Sequence, residues 1–88
     1  MLDFVSIKDV KVSVGAWCKQ LRKSNKLTQQ QLAVELSLSP LTISKLENGE
    51  NPTIETLLKV LQYFDAMKSL NQFVVGKTND LTDNPSMY

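Results

Sequence analysis

The sequence predicts an all-α fold, a compact bundle of about five short helices with a helix-turn-helix at its centre. Three observations carry this expectation. Apolar residues recur at i, i+3 and i+4 intervals through most of the chain, and a Ser or Thr able to cap a helix stands before the periodic stretches. Glycine and proline are scarce, three of each in 88 residues, too few for the frequent turns of a β-sandwich.

Residues 1–12, MLDFVSIKDVKV, admit two readings. Phe4, Val5, Ile7, Val10 and Val12 partly alternate as in a strand, and an extended N-terminal arm is the preferred reading. Its competitor is a helix capped by Ser6 and Asp9, with Ile7, Val10, Val14 and Trp17 on one face. From Ser13 the pattern clears: Val14, Trp17, Cys18 and Leu21 predict a first helix over residues 13–25. A second helix begins at Thr28, where Gln31 completes a capping box, and passes through Leu32, Ala33 and Leu36 to stop near Ser37. Ser39 caps the third, with Pro40 in the first turn, where a missing N–H costs nothing. Ile43 and Leu46 are its buried residues, and Gly49 suits a left-handed C-terminal cap.

After the turn Glu-Asn-Pro, Thr53 caps a fourth helix whose apolar face is Ile54, Leu57, Leu58, Leu61 and Phe64. Met67, Leu70, Phe73 and Val74 then recur at i, i+3, i+6 and i+7, which predicts a short fifth helix against a terminal strand as the alternative. KTNDLTDNPSMY, after Gly76, is polar and aperiodic and reads as a flexible tail. The organisation expected is therefore an arm (1–12), one folded domain (13–75) and a C-terminal tail (76–88). Trp17, Leu21, Ile43, Leu46, Leu57 and Leu61 are its candidate core.

Composition narrows the function classes. The chain allows one small domain, and its 42% hydrophobic content suits a folded one whose thin core makes pairing with a second subunit attractive. A single cysteine excludes an intrachain disulfide and fits a reducing compartment; Cys18 reads as a small buried hydrophobe. There is no histidine, no metal-ligand cluster and no glycine-rich phosphate loop, so an enzyme, a cofactor and a bound metal are all excluded as expectations. With no signal-like or spanning segment, a soluble cytoplasmic protein with no membrane partner is expected. Formal charge is only +1 overall, but residues 11–59 carry seven basic side chains against four acidic ones. A modestly basic body is thereby joined to an acidic end.

The stretch LRKSNKLTQQQLAVELSLSPLTISKLENG carries a more specific pattern. Leu21-Arg22, Leu27-Thr28-Gln29, Leu32-Ala33, Ser39, Ile43-Ser44 and Leu46-Glu47-Asn48-Gly49 together resemble the helix-turn-helix of phage repressors, Cro and their bacterial relatives, the XRE type. With Pro52 and the following helix, the resemblance covers residues 13–75. Two positions depart from it: the family usually has glycine where Lys26 and Ser37 stand. If Ser37 takes a positive φ, the strain is about 1 kcal/mol.

The resemblance implies a DNA-binding domain that sets its third helix in the major groove of double-stranded DNA, and it assigns roles residue by residue. The tip of that helix faces base edges: Leu41 against a thymine methyl, Thr42 with a methyl and a hydroxyl, Ser44 and Lys45 with polar contacts, Lys45 to guanine. Pro40 stiffens the start and adds apolar contact; the plainer reading is that Pro40 and Leu41 only begin and pack the helix. Thr28, Gln29 and Asn48, with Lys23 and Lys26, are the candidate phosphate contacts, set against a solvated Gln and a capping Asn. Arg22 and Glu47 are expected to form a structural ion pair between the first and third helices.

A dimer would read an inverted-repeat operator, its two reading helices about 34 Å apart. Tyr63, Phe64, Met67, Phe73 and Val74 are the candidate homodimer interface, with the arm as a second one. The function expected is a sequence-specific transcriptional regulator, a repressor of its own operon. Among the roles such proteins fill, the antitoxin of a toxin–antitoxin pair is preferred, with Met87 and Tyr88 anchoring the toxin protein. A phage repressor, a restriction–modification controller and a protein-interaction module that has lost DNA binding are the alternatives.

Overall fold

The chain runs as α1 (Ile7–Ser24), α2 (Gln29–Leu36), α3 (Pro40–Glu47), α4 (Ile54–Tyr63) and α5 (Met67–Thr82). The computed structural model describes residues 4–82, and among these there is no strand. Four helix starts follow one rule. The hydroxyls of Ser6, Thr28, Ser39 and Thr53 accept the backbone N–H three residues on, at 3.0, 3.0, 3.1 and 3.1 Å. At Ser6 and Thr28 the side chains of Asp9 and Gln31 return the bond to the capping residue's own N–H, closing two capping boxes.

The helix ends follow a second rule. Lys26, Ser37, Gly49 and Asp65 take left-handed φ values of 58, 55, 72 and 60°. Each is followed by an N–H that reaches back across the last turn: Leu27 to Arg22, Leu38 to Ala33, Glu50 to Lys45 and Ala66 to Leu61, at 2.7–3.2 Å. These are Schellman-type ends, which favour glycine because a side chain crowds the left-handed conformation. Only one of the four is glycine. Lys26 and Ser37, where the family usually has glycine, do adopt the strained conformation.

Three expectations are corrected. The N-terminal arm is not extended from residue 7 onward: the Ser6–Asp9 capping box satisfies two otherwise orphaned N–H groups, and α1 begins there. Lys11 Nζ then donates to Asn51 Oδ1 at 2.9 Å, fixing this added turn to the loop beyond α3. At the other end Gly76 does not begin a tail, because α5 continues through Thr82. No residue of α5 is buried, so its polar last turns meet no packing demand that a lack of periodicity would offend. The rest of the expected tail, including Met87 and Tyr88, lies outside the described residues. Thirdly, Ile54 is 74% exposed, since α4 buries Thr56, Val60 and Leu61 instead.

The core joins Cys18, Leu32, Ala33, Ile43, Leu46 and Val60, flanked by Leu36, Leu38, Leu57 and Phe64. Ile43, Leu46 and Leu61 are fully buried as expected, whereas Trp17, Leu21 and Leu57 are half-buried. What sets α3 in place is its close approach to α1. A Cβ on Gly15 would lie 2.5 Å from the Leu46 carbonyl oxygen and 2.6 Å from that of Glu47. On Gly49 it would lie 3.0 Å from the Val12 backbone. The two helices touch backbone to backbone.

Three substitutions test these backbone features. Gly15→Ala should cost about 3 kcal/mol or more, since the obstruction is backbone and cannot swing aside. Gly76→Ala, with nothing within 4 Å, should gain about 0.5–1 kcal/mol by helix propensity alone. Thermal melting separates them in sign, at about 4–8 °C per kcal/mol for a domain of this size. Equal shifts would mean that the α1–α3 approach is looser than drawn. Ser37→Gly should relieve the turn of α2 and α3 and raise the melting temperature by a few degrees, about 0.5–1 kcal/mol.

Candidate nucleic-acid interface

The buried residues of α1 are Gly15, Cys18 and Arg22, one stripe facing α3. Arg22 ends that stripe in a bidentate pair with Glu47: Nε to Oε2 at 2.6 Å and Nη2 to Oε1 at 2.9 Å. Its Nη1 donates to the Leu27 carbonyl at 2.8 Å, holding the connection between α1 and α2. The two side chains are 9% and 1% exposed. The ion pair expected from sequence is thus present and nearly dry.

Glu47 accepts a third bond, from Gln29 Nε2 at 3.0 Å. Burial pushes its carboxyl toward the neutral form. The bonds from Arg22 and Gln29, with the charges of Arg22 and Lys19, outweigh burial and hold it below its ordinary value. Arg22 moves the other way, because its hydrogen bond to Glu47 favours the charged form over the cost of burial. Burial, with Glu47 nearby, pushes the Cys18 thiol up to about 11, so Cys18 is a neutral, inert core side chain.

Anchored at its C-terminal end, α3 turns Pro40, Leu41 and Lys45 to solvent and leaves Thr42 and Ser44 half-exposed. All five candidate base-reading residues therefore lie on one eight-residue helix. The candidate phosphate residues are less uniform. Lys23, Lys26 and Asn48 are exposed. Thr28 Oγ1 is engaged by the Gln31 N–H and the Thr28 N–H by Gln31 Oε1, so its side chain serves the cap. The Gln29 amide is turned to Glu47, which neither the phosphate nor the solvated reading from sequence foresaw. Asn48 caps α3, and its Nδ2 lies 3.5 Å from Ser44 Oγ, at the limit of a hydrogen bond.

The candidate dimer residues divide. Phe64 packs against the core and meets the Tyr63 ring edge to face at 5.0 Å. Tyr63 is otherwise exposed and donates to Glu35 Oε1 at 3.1 Å. Met67 and Val74 line an apolar groove together with Leu58 and Leu70, two residues that sequence reasoning did not put in the interface. Phe73 lies outside that groove, with Lys77 Nζ 5.5 Å from its ring centre. Gly15 was missed altogether; its signal was a glycine inside a helical pattern, a position that needs a packing reason.

A family model described as helix-turn-helix matches residues 19–66, more than half of the chain. The chain belongs to that helix-turn-helix family. The resemblance to phage repressors and Cro is thereby borne out, and α2, Ser37, Leu38 and α3 form the helix-turn-helix itself. Among curated proteins, the chain is similar to multiprotein-bridging factor 1 of Candida albicans, 38% identical over 60 residues, which cover 68% of this chain and 40% of that protein. It is also similar to a candidate HTH-type transcriptional regulatory protein of Methanocella arvoryzae, 40% identical over 52 residues, 59% of this chain and 16% of that one. The matches thus span two fifths or less of those relatives. No helix among the described residues is long and apolar enough to cross a membrane.

The anchor of the helix-turn-helix makes a prediction that does not need its ligand. Arg22→Met should cost about 3–5 kcal/mol, because it strands the Glu47 carboxylate in the core. Acid should act through the same residue. With its folded pKa below the ordinary 4.5, Glu47 contributes stability that is complete above that value and is lost as pH falls through the folded one. Glu47→Gln should therefore be less stable at neutral pH and lose less on acidification. Denaturant titrations from pH 7 to about 3 check this; parallel acid slopes would remove Glu47 as the titrating group.

Proposed function

We propose that this chain is a sequence-specific transcriptional regulator that binds double-stranded DNA with α3 in the major groove. One observation carries the reading. Inside a matched helix-turn-helix, α3 is fixed by a buried bidentate pair at its C-terminal end, while Pro40 and Leu41 stand exposed at its start and Lys45 stands exposed in its last turn. A helix held from behind with an exposed N-terminal tip has the form needed to enter a groove. Lys23, Lys26 and Asn48 flank it as phosphate contacts, and Gln29 adds its backbone N–H at the start of α2.

The regulator acts as a homodimer on an inverted-repeat operator, and the Met67, Val74, Leu58 and Leu70 groove, with Tyr63 and Phe73 beside it, is the surface offered for pairing. Modest charge supports this, since one copy gathers few phosphate contacts. In its narrower form the protein represses its own operon, and in its narrowest it is the antitoxin of a toxin. A second reading, a protein-interaction module, draws support from the similarity to a multiprotein-bridging factor and from the exposed apolar residues of α5.

Footprinting on the DNA upstream of its own gene, at two salt concentrations, tests the proposal. The expected result is a protected inverted repeat, weakened by salt, with Lys45→Ala about tenfold weaker or more, as for loss of a base contact of about 1–3 kcal/mol. Absence of protection at low salt, alongside stable capture of one protein partner, would replace this reading with the interaction module.

A further inference from the structure

The reading tip of α3 is chemically lopsided. The whole of α3, PLTISKLE, contains no Arg, Asn or Gln, side chains whose planar ends make paired hydrogen bonds to guanine or adenine. Lys45 is its one cation, and Glu47 is buried against Arg22. Leu41, 62% exposed, presents most of its surface to the outside.

Thr42 is less polar than its formula suggests. Its Oγ1 lies 2.8 Å from Ser39 Oγ, which also accepts the Thr42 backbone N–H at 3.1 Å. Whichever hydroxyl donates, the contact turns Oγ1 back toward the start of the helix and holds the side chain in one rotamer. The methyl group then occupies a different staggered position. Ser44, half-exposed like Thr42, lies one turn behind Pro40, away from the start of the helix. The tip thus shows a proline ring, an isobutyl group and a rotamer-locked threonine, with one lysine beside them.

Resting on the DNA-binding reading above, we propose that the protein recognises its site chiefly through thymine 5-methyl groups, with Leu41 as the specificity-determining residue and Ser39 positioning Thr42. The ligand is a duplex whose half-site sets thymine methyls in the major groove opposite the α3 tip. Lys45 adds a polar contact that raises affinity without reading the methyl. In the major groove thymine shows its 5-methyl group beside the O4 acceptor, and apolar contact reads that methyl directly. Uracil keeps thymine's hydrogen-bonding groups and lacks only that methyl.

The test begins with selection of duplexes from a random-sequence pool by the full chain. The enriched duplex is then synthesised twice, once with thymine and once with uracil throughout, and both affinities are measured. The wild type should lose roughly fourfold for each methyl contacted, the factor expected for removing one buried carbon. Leu41→Ala should lose most of the thymine-to-uracil ratio, with the Thr42 methyl keeping the remainder, and its melting temperature should match the wild type because Leu41 is exposed. Lys45→Ala should bind both more weakly and keep the thymine-to-uracil ratio. Enrichment with a ratio near one, or a ratio undiminished in Leu41→Ala, overturns methyl reading by Leu41 and leaves DNA binding standing. No enrichment of any duplex overturns the DNA-binding reading and this inference with it.

Discussion

Everything distinctive about this domain hangs on the contact between α1 and α3. Gly15, Cys18 and Arg22 form a seam with no side chain at its first position, a thiol at the second and a guanidinium at the third. The empty position lets the helices meet at their backbones, and that closeness brings Arg22 within bidentate reach of Glu47. A buried ion pair is a poor source of stability, since apolar side chains of equal volume often do as well or better. What it supplies here is direction. Two parallel bonds from a planar fork fix the azimuth of α3, and the third bond to the same carboxylate, from Gln29, ties α2 to that setting.

Seen from this seam, the strained helix ends make sense as local costs of a fixed geometry. The turn from α2 to α3 takes three residues, Ser37 to Ser39, and its reversal requires a left-handed residue whatever the sequence provides. Ser37 supplies it at a cost glycine would avoid. Lys26 does the same before α2, where its side chain also adds a positive charge beside Lys23. Gly49 is different: its conformation and the Val12 backbone against it both exclude a side chain. Among these four left-handed helix ends, glycine stands at the one where two constraints coincide.

Much of this was legible in the sequence because it is governed locally. Thr28, Ser39 and Thr53 announce their helices by cap chemistry, and the Arg22–Glu47 pair followed from the family pattern. The errors lie where local signals conflicted or tertiary contacts decided. Ser6 and Asp9 outweigh the alternation of Phe4 to Val12, a contest that periodicity alone cannot score. The course of α5 beyond Gly76 is set by continuing backbone bonds rather than by a buried face, so the absence of periodicity misled. Of the candidate site, the five α3 residues followed from the family resemblance, and they lie together on one eight-residue helix. The engagement of Gln29 with Glu47 and of Thr42 with Ser39 was not, because a short polar side chain has several partners within reach and only three-dimensional placement selects one.

These two engagements bear on how a protein so nearly neutral could be selective. Non-specific affinity for DNA scales with the phosphates neutralised, and the excess of basic side chains here is small. A reader of this kind gains little from raw attraction, and the ratio between correct and incorrect sites has to come from the tip itself. Hydrogen-bonding side chains with several rotamers can satisfy more than one base, whereas an isobutyl group has no hydrogen bond to redirect and the threonine hydroxyl is already engaged by Ser39. Under the proposed reading, the rigidity of the Arg22–Glu47 anchor and the apolar tip are complementary parts of one device. A methyl contact decays within an ångström of misplacement, so it discriminates only when presented by a helix that does not move.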